Sequence, residues 1–179
     1  MNLQQQLGSA WIREHIPHQG RMCLLEQVLS WDRHELRCRS GSHRAADHPL
    51  RAHGRLGSAC LIEYAAQAVA IHGALLQEQA ASGAAGLLAS ARSVQLAVGR
   101  LDDIAADLLI EARRLHSDAR SALYAFTVHP IAVHPIAPQT LTSAQEPPLR
   151  LRESQQLLAQ GRLTLWLLGP DGHLPAVER

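Results

Sequence analysis

His48-Pro49-Leu50-Arg51-Ala52-His53-Gly54-Arg55-Leu56-Gly57-Ser58 runs directly into Ala59-Cys60-Leu61-Ile62-Glu63-Tyr64-Ala65-Ala66-Gln67-Ala68-Val69-Ala70-Ile71-His72-Gly73-Ala74-Leu75-Leu76. The second half is rich in Ala and Leu and apolar on nearly every side, which is how a helix reads when other elements surround it. A single carboxylate, Glu63, interrupts it. A carboxylate cannot face a dry core unpaired without a penalty of several kcal/mol or a raised pKa, so this helix either pairs Glu63 or uses it. Gln67 lies one turn further on the same face, within reach of that carboxylate. The preceding loop carries His43, His48 and His53, and can bring an imidazole to the acid.

Working outward, the 179-residue chain is expected to form one domain with a substantial core. Lys and Arg (17) nearly balance Asp and Glu (16), and aromatic residues make up only 3%. Neither an electrostatic footprint nor a stacking platform for nucleic acid is present. Cys23, Cys38 and Cys60 lack the CxxC spacing of a zinc site or redox pair, which points to buried thiols and a cytoplasmic setting. The polar N-terminus has no signal-peptide core, and Glu63 breaks the best apolar run, so no membrane insertion is expected.

Before the central helix, apolar residues at three- and four-residue steps predict a short helix over Leu3 to His15, ended by Pro17. Met22 to Trp31 reads as a core strand, and Glu35 to Arg39 as a half-buried one, joined by a turn at Asp32-Arg33. The central helix runs to about Gln79. After the link at Ser82, Gly83 and Gly86, four strands are expected over Leu87 to Val98, Ala106 to His116, Ala119 to His129 and Leu157 to Leu168, with a turn at Pro170-Asp171-Gly172. Residues 130–151 repeat His129-Pro130-Ile131-Ala132 as His134-Pro135-Ile136-Ala137 and carry further prolines, the composition of an exposed insertion. No carboxylate or cysteine cluster joins the His-Pro pairs, so no metal is expected. The whole is α+β: one long apolar helix wrapped by an antiparallel sheet of about six strands.

A histidine and a carboxylate at the rim of an apolar pocket suit the removal of a proton beside a carbonyl and the protonation of a departing hydroxyl. A neutral imidazole serves as base, and a carboxyl kept protonated by burial serves as acid. Amides at the helix N-terminus, around Gly54 to Ala59, can polarise the carbonyl.

Ile16-Pro17-His18, Met22-Cys23-Leu24-Leu25-Glu26-Gln27-Val28, His48-Pro49 and Leu61-Ile62-Glu63-Tyr64-Ala65-Ala66-Gln67-Ala68 together resemble the hot-dog-fold 3-hydroxyacyl-acyl-carrier-protein dehydratases. They are more similar still to the dehydratase-like proteins of aryl polyene and xanthomonadin-type pigment clusters. The resemblance implies a hot-dog fold and dehydration of a 3-hydroxyacyl thioester to the trans-2-enoyl thioester. It implies His48 as base, Glu63 as acid and Gly57 as the amide that meets the thioester carbonyl, with Gln67 and His18 shaping the substrate site. The spacing between His48 and Glu63 departs from the common form, so His53 competes as base and Gly54 as amide. The resemblance also implies acyl-carrier protein as partner, with Arg51 and Arg55 at the mouth to meet it. The substrate would be carried on a phosphopantetheine arm, no further cofactor would be needed, and the chain would pair as a homodimer or with another hot-dog subunit, the histidine of one subunit meeting the carboxylate of the other. A hot-dog thioesterase and a non-catalytic partner of an active dehydratase are the alternatives.

Overall fold

The computed structural model describes residues 7–80, 86–131 and 156–168. Two helices, α1 (Ser9–His15) and α2 (Leu61–Ala80), accompany six strands: β1 (Gln27–Trp31), β2 (Glu35–Ser40), β3 (Gly86–Leu96), β4 (Asp107–Ser117), β5 (Ser121–Ile131) and β6 (Ala159–Leu167). All six form one antiparallel sheet in the order β1-β2-β4-β5-β6-β3. Helix α2 packs against β2, β4 and β5, so the expected α+β arrangement of one long helix in a six-stranded sheet is what the chain adopts.

Helix α2 is seated by Leu61, Tyr64, Ala65, Ala68, Ile71 and Leu75, all at 1% exposure or less. These positions recur at three- and four-residue steps and meet core side chains such as Leu36, Leu108, Ile110 and Phe126. Ser58–Gln77 is long and apolar enough by composition to cross a membrane, and half of it is buried within the fold. The second face, with Ile62, Glu63, Ala66, Ala70, Gly73 and Ala74, is only half-buried. That asymmetry leaves Glu63 accessible on an otherwise enclosed helix.

The expected strand over Met22 to Trp31 is corrected at its first half. Gly20–Met22 is a 3-10 turn, and pairing with β2 as a named strand starts at Gln27. The reason lies in side chains distant in sequence: the Leu24 amide donates to the Gln67 side chain and the Leu24 carbonyl accepts from Ser40 and Ser42, so neither group is free to join a sheet ladder. The first helix is described from Ser9, and Leu3 lies outside the described residues, as do the Pro170-Asp171-Gly172 turn and most of the expected insertion. The first His-Pro pair, His129-Pro130, belongs to the end of β5, while His134-Pro135 lies outside the described residues.

One close approach fixes the β5–β6 pairing. Gly161 stands opposite Phe126, and a Cβ at this position would lie 2.8 Å from Phe126 Cε1 and 3.1 Å from Val94 Cγ2. Phe126 is a core ring at 2% exposure and has nowhere to yield. Gly161→Ala is therefore expected to destabilise the protein by about 1–3 kcal/mol, read from the denaturant midpoint. An unmoved midpoint would show that the sheet relaxes around the methyl group.

Candidate functional site

Glu63 sits in the first turn of α2, with Gln67 one turn on. Its Oε1 accepts from Gln67 Nε2 at 2.9 Å and from His18 Nε2 at 3.0 Å. His18 arrives from the segment between α1 and the Gly20–Met22 turn, and its backbone carbonyl accepts from Cys23 Sγ. The His18 hydrogen bond, followed by that of Gln67, holds the Glu63 carboxyl below its ordinary value against the opposing effect of burial. The sequence expectation of a carboxyl kept protonated by burial is thus reversed in direction. Burial is present, but two N–H donors outweigh it.

Gln67 is fully buried and has its amide orientation fixed by its surroundings. Oε1 accepts the Leu24 amide at 2.8 Å, while Nε2 donates to the Met22 carbonyl at 2.7 Å and to Glu63. Turning the amide over would oppose donor to donor and acceptor to acceptor. The side chain therefore clamps α2 to the segment leading into β1 and aims one N–H at the carboxylate.

His48 is brought to Tyr64 rather than to the Glu63 carboxylate of its own chain. The Leu50 amide donates to His48 Nδ1 at 3.2 Å, so the proton is on Nε2, which donates to Tyr64 Oη at 3.0 Å. The Tyr64 hydroxyl continues to Ser42 Oγ at 2.7 Å, and Ser42 Oγ donates to the Leu24 carbonyl at 2.9 Å. Both His48 nitrogens are engaged, and the residue is 5% exposed. The two clusters meet at one residue: the Leu24 carbonyl ends the chain from His48, and the Leu24 amide begins the contact through Gln67 to Glu63. No sequence spacing marks this link, because Ser42 and Leu24 become neighbours only through sheet pairing.

The other candidates separate by local geometry. His53 and Gly54 take positive φ, 50° and 72°, at the centre of the tight turn that closes the Ala52–Arg55 bridge, and both are exposed. Arg51 braces this loop through the Ala45 and Gly54 carbonyls and pairs with Asp102, so its charge is already committed. Arg55 is exposed. Gly57 immediately precedes the Ser58–Cys60 turn at the head of α2, its amide meets no backbone acceptor among the described residues, and the space beside its Cα is open. A free amide at the head of the helix is the donor that a thioester carbonyl requires.

Further along the Glu63 face of α2, a groove of about 420 Å³ opens between the helix and Ile16-Pro17, lined by Val69, Ala70, Gly73 and Ala74 and floored by Tyr124 and Leu165. A larger cleft of about 750 Å³ lies on the sheet between β3, β5 and β6 and contains none of the candidate residues. No cluster of three metal-ligating side chains occurs among the described residues.

Three buried histidines carry a stability consequence. Burial is the first cause lowering the pKa of His43, His48 and His72 from 6.5, so each is favoured neutral in the fold. The unfolded chain then binds more protons than the folded one below that value, so stability is full above it and falls as pH drops through it. The denaturant midpoint is expected to decrease between about pH 7 and about pH 5, and a midpoint rising over that interval would contradict neutral burial.

The family model described as ApeP-like, ApeP dehydratase, matches residues 10–166. A search of curated proteins returns no match. Among solved structures, the dehydratase heterocomplex ApeI:P from Xenorhabdus doucetiae aligns at 20% identity over 90% of this chain and 93% of that one, with a TM-score of 0.64. A thioesterase family protein from Silicibacter pomeroyi aligns at 15% identity over 88% and 95%, with a TM-score of 0.55. Zebra fish thioesterase superfamily member 2 aligns at 17% identity over 89% and 98%, with a TM-score of 0.52. At these identities the likeness is one of fold, and the fold is the hot-dog. With the family model spanning the chain from α1 to the last strand, this protein belongs to the ApeP-like dehydratase family.

Proposed function

We propose that the protein is a lyase that removes water from a 3-hydroxyacyl thioester carried on acyl-carrier protein, leaving the trans-2-enoyl thioester. Family membership supports dehydration, and one observation supports its location: Glu63 is a half-buried carboxylate held by His18 and Gln67 at the head of the core helix. The Gly57 amide would take the thioester carbonyl, and the groove beside Ala70, Gly73 and Ala74 would take the acyl chain. His48 is the base in this reading, set in place by its hydrogen bonds to the Leu50 amide and to Tyr64, and it would meet the carboxylate of the second subunit.

A second subunit belongs to the proposal. β3 is the terminal strand of the sheet, eleven residues long, with Leu87, Leu88 and Leu96 at 53%, 45% and 40% exposure. A long apolar edge is a template for pairing with another chain, and the solved ApeI:P relative is a heterocomplex. The partner is a second copy or another hot-dog subunit, in the cytoplasm, and no cofactor beyond the phosphopantetheine arm of the substrate is required.

The test gives purified protein, alone and with a candidate hot-dog partner, a 3-hydroxyacyl carrier-protein substrate and follows product mass. Loss of one water is expected. Release of free acid would replace this reading with a thioesterase, and no reaction until the partner is added would favour a non-catalytic partner subunit.

A further inference from the structure

We propose that the cleft of about 750 Å³ on the sheet between β3, β5 and β6 is a binding site for a phosphorylated ligand of nucleotide size that carries an aromatic ring. The cleft is separate from the site around Glu63, because it lies on the face of the sheet turned away from α2. In β6, Leu163 and Leu165 are buried in the core, and Arg162, Thr164 and Trp166 alternate with them toward the outside.

Three guanidinium groups line this cleft. Arg92 of β3 and Arg162 of β6 stand directly opposite each other in register, and Arg120 enters from the turn before β5. None of the three is in an ion pair among the described residues. Like charges directly opposite on neighbouring strands destabilise a sheet, so this pair is a standing cost that a bound anion would relieve. The carboxylate beside them, Asp118, is held in its own turn by the Arg120 and Ser121 amides and the Ser121 hydroxyl.

Guanidinium groups donate paired N–H bonds that match phosphoryl oxygens, and the hydroxyls of Ser93 and Thr164 add neutral donors beside them. Ser93 takes a φ of 52° at the register shift between Arg92 and Gln95. In a regular strand Arg92 and Ser93 would face opposite sides of the sheet, whereas the bulge sets both on this cleft. A serine held in the left-handed region is strain of the kind retained where backbone shape serves a site. Trp166, 37% exposed, offers a ring on which an aromatic group can stack.

The volume suits a small molecule. A second copy laid on this face about a two-fold axis would set guanidinium against guanidinium, and three cations are too short a track for a nucleic acid. Pairing along the β3 edge works through backbone groups in the plane of the sheet and leaves this face open.

The test titrates the intact protein with ADP, inorganic pyrophosphate and adenosine in magnesium-free buffer, read by calorimetry. ADP is expected to bind more tightly than pyrophosphate, and adenosine more weakly than either. Arg92→Ala and Arg162→Ala are each expected to weaken ADP by roughly tenfold or more. Trp166→Ala is expected to weaken ADP while leaving pyrophosphate within a few-fold of wild type. Because the arginines oppose each other across the strands, neither Arg→Ala substitution is expected to lower the denaturant midpoint. Glu63→Gln, altered on the other face of the sheet, is expected to bind ADP as the wild type does. The proposal is overturned if neither ADP nor pyrophosphate binds up to millimolar concentration, or if adenosine binds as tightly as ADP. ADP affinity unchanged in both Arg→Ala variants, or lost in Glu63→Gln, overturns it as well. A midpoint that falls in the Arg→Ala variants would give the arginines a structural role in place of this one.

Discussion

Glu63→Gln is expected to lower dehydration by about 10²–10⁴-fold with little loss of stability. The substituted amide can keep its oxygen toward His18 and Gln67, so the hydrogen bonds that tie α2 to the segment before β1 survive. What disappears is the ionisable oxygen that the proposed reaction needs. Few single changes at this site separate chemistry from folding so cleanly, because Glu63 is about a third exposed and its replacement strands no fully buried group. The check is product formation by mass together with a denaturant midpoint. Turnover within a few-fold of wild type at an unchanged midpoint would remove Glu63 from the reaction.

Gln67→Leu is expected to act mainly through stability, by about 2–5 kcal/mol. Leucine fills much of the space but leaves the Leu24 amide and the Met22 carbonyl without their partners, each worth about 1–3 kcal/mol when buried and unpaired. It also takes one of two donors from Glu63, so the carboxyl pKa rises, and any acid limb that this group sets in the pH–rate profile moves up with it. Chemical denaturation measures the first effect and a pH–rate profile the second. A midpoint that barely moves would mean that water replaces the amide at both backbone groups.

The residues legible in the sequence were those whose roles are set within one element. The stepwise apolar pattern of α2 is a property of consecutive residues, and the Glu63-to-Gln67 contact follows from helical spacing alone. Strand positions from β2 onward were equally readable, since alternation and turn residues fix them locally. The pairing of each histidine was not. His18 and His48 lie in irregular loops, and whether either meets Glu63 depends on how β1, β2 and α2 close around the Leu24 peptide. The first half of the expected strand at Met22 failed for the same reason, because distant side chains claim its backbone groups. The direction of the Glu63 pKa is not legible in the sequence, which shows burial more readily than it shows two converging donors.

Because the junction at Leu24 is made by its amide and carbonyl alone, it does not depend on which side chain the residue carries. Leu24 is fully buried, so a volume-conserving apolar replacement there would leave these backbone contacts around Glu63 in place. The vulnerable property is chain length. An inserted or deleted residue between His18 and Leu24 would present the wrong residue's backbone groups to Gln67 and to Ser42 together, separating the His48 cluster from the carboxylate in a single event while the central helix itself remained intact.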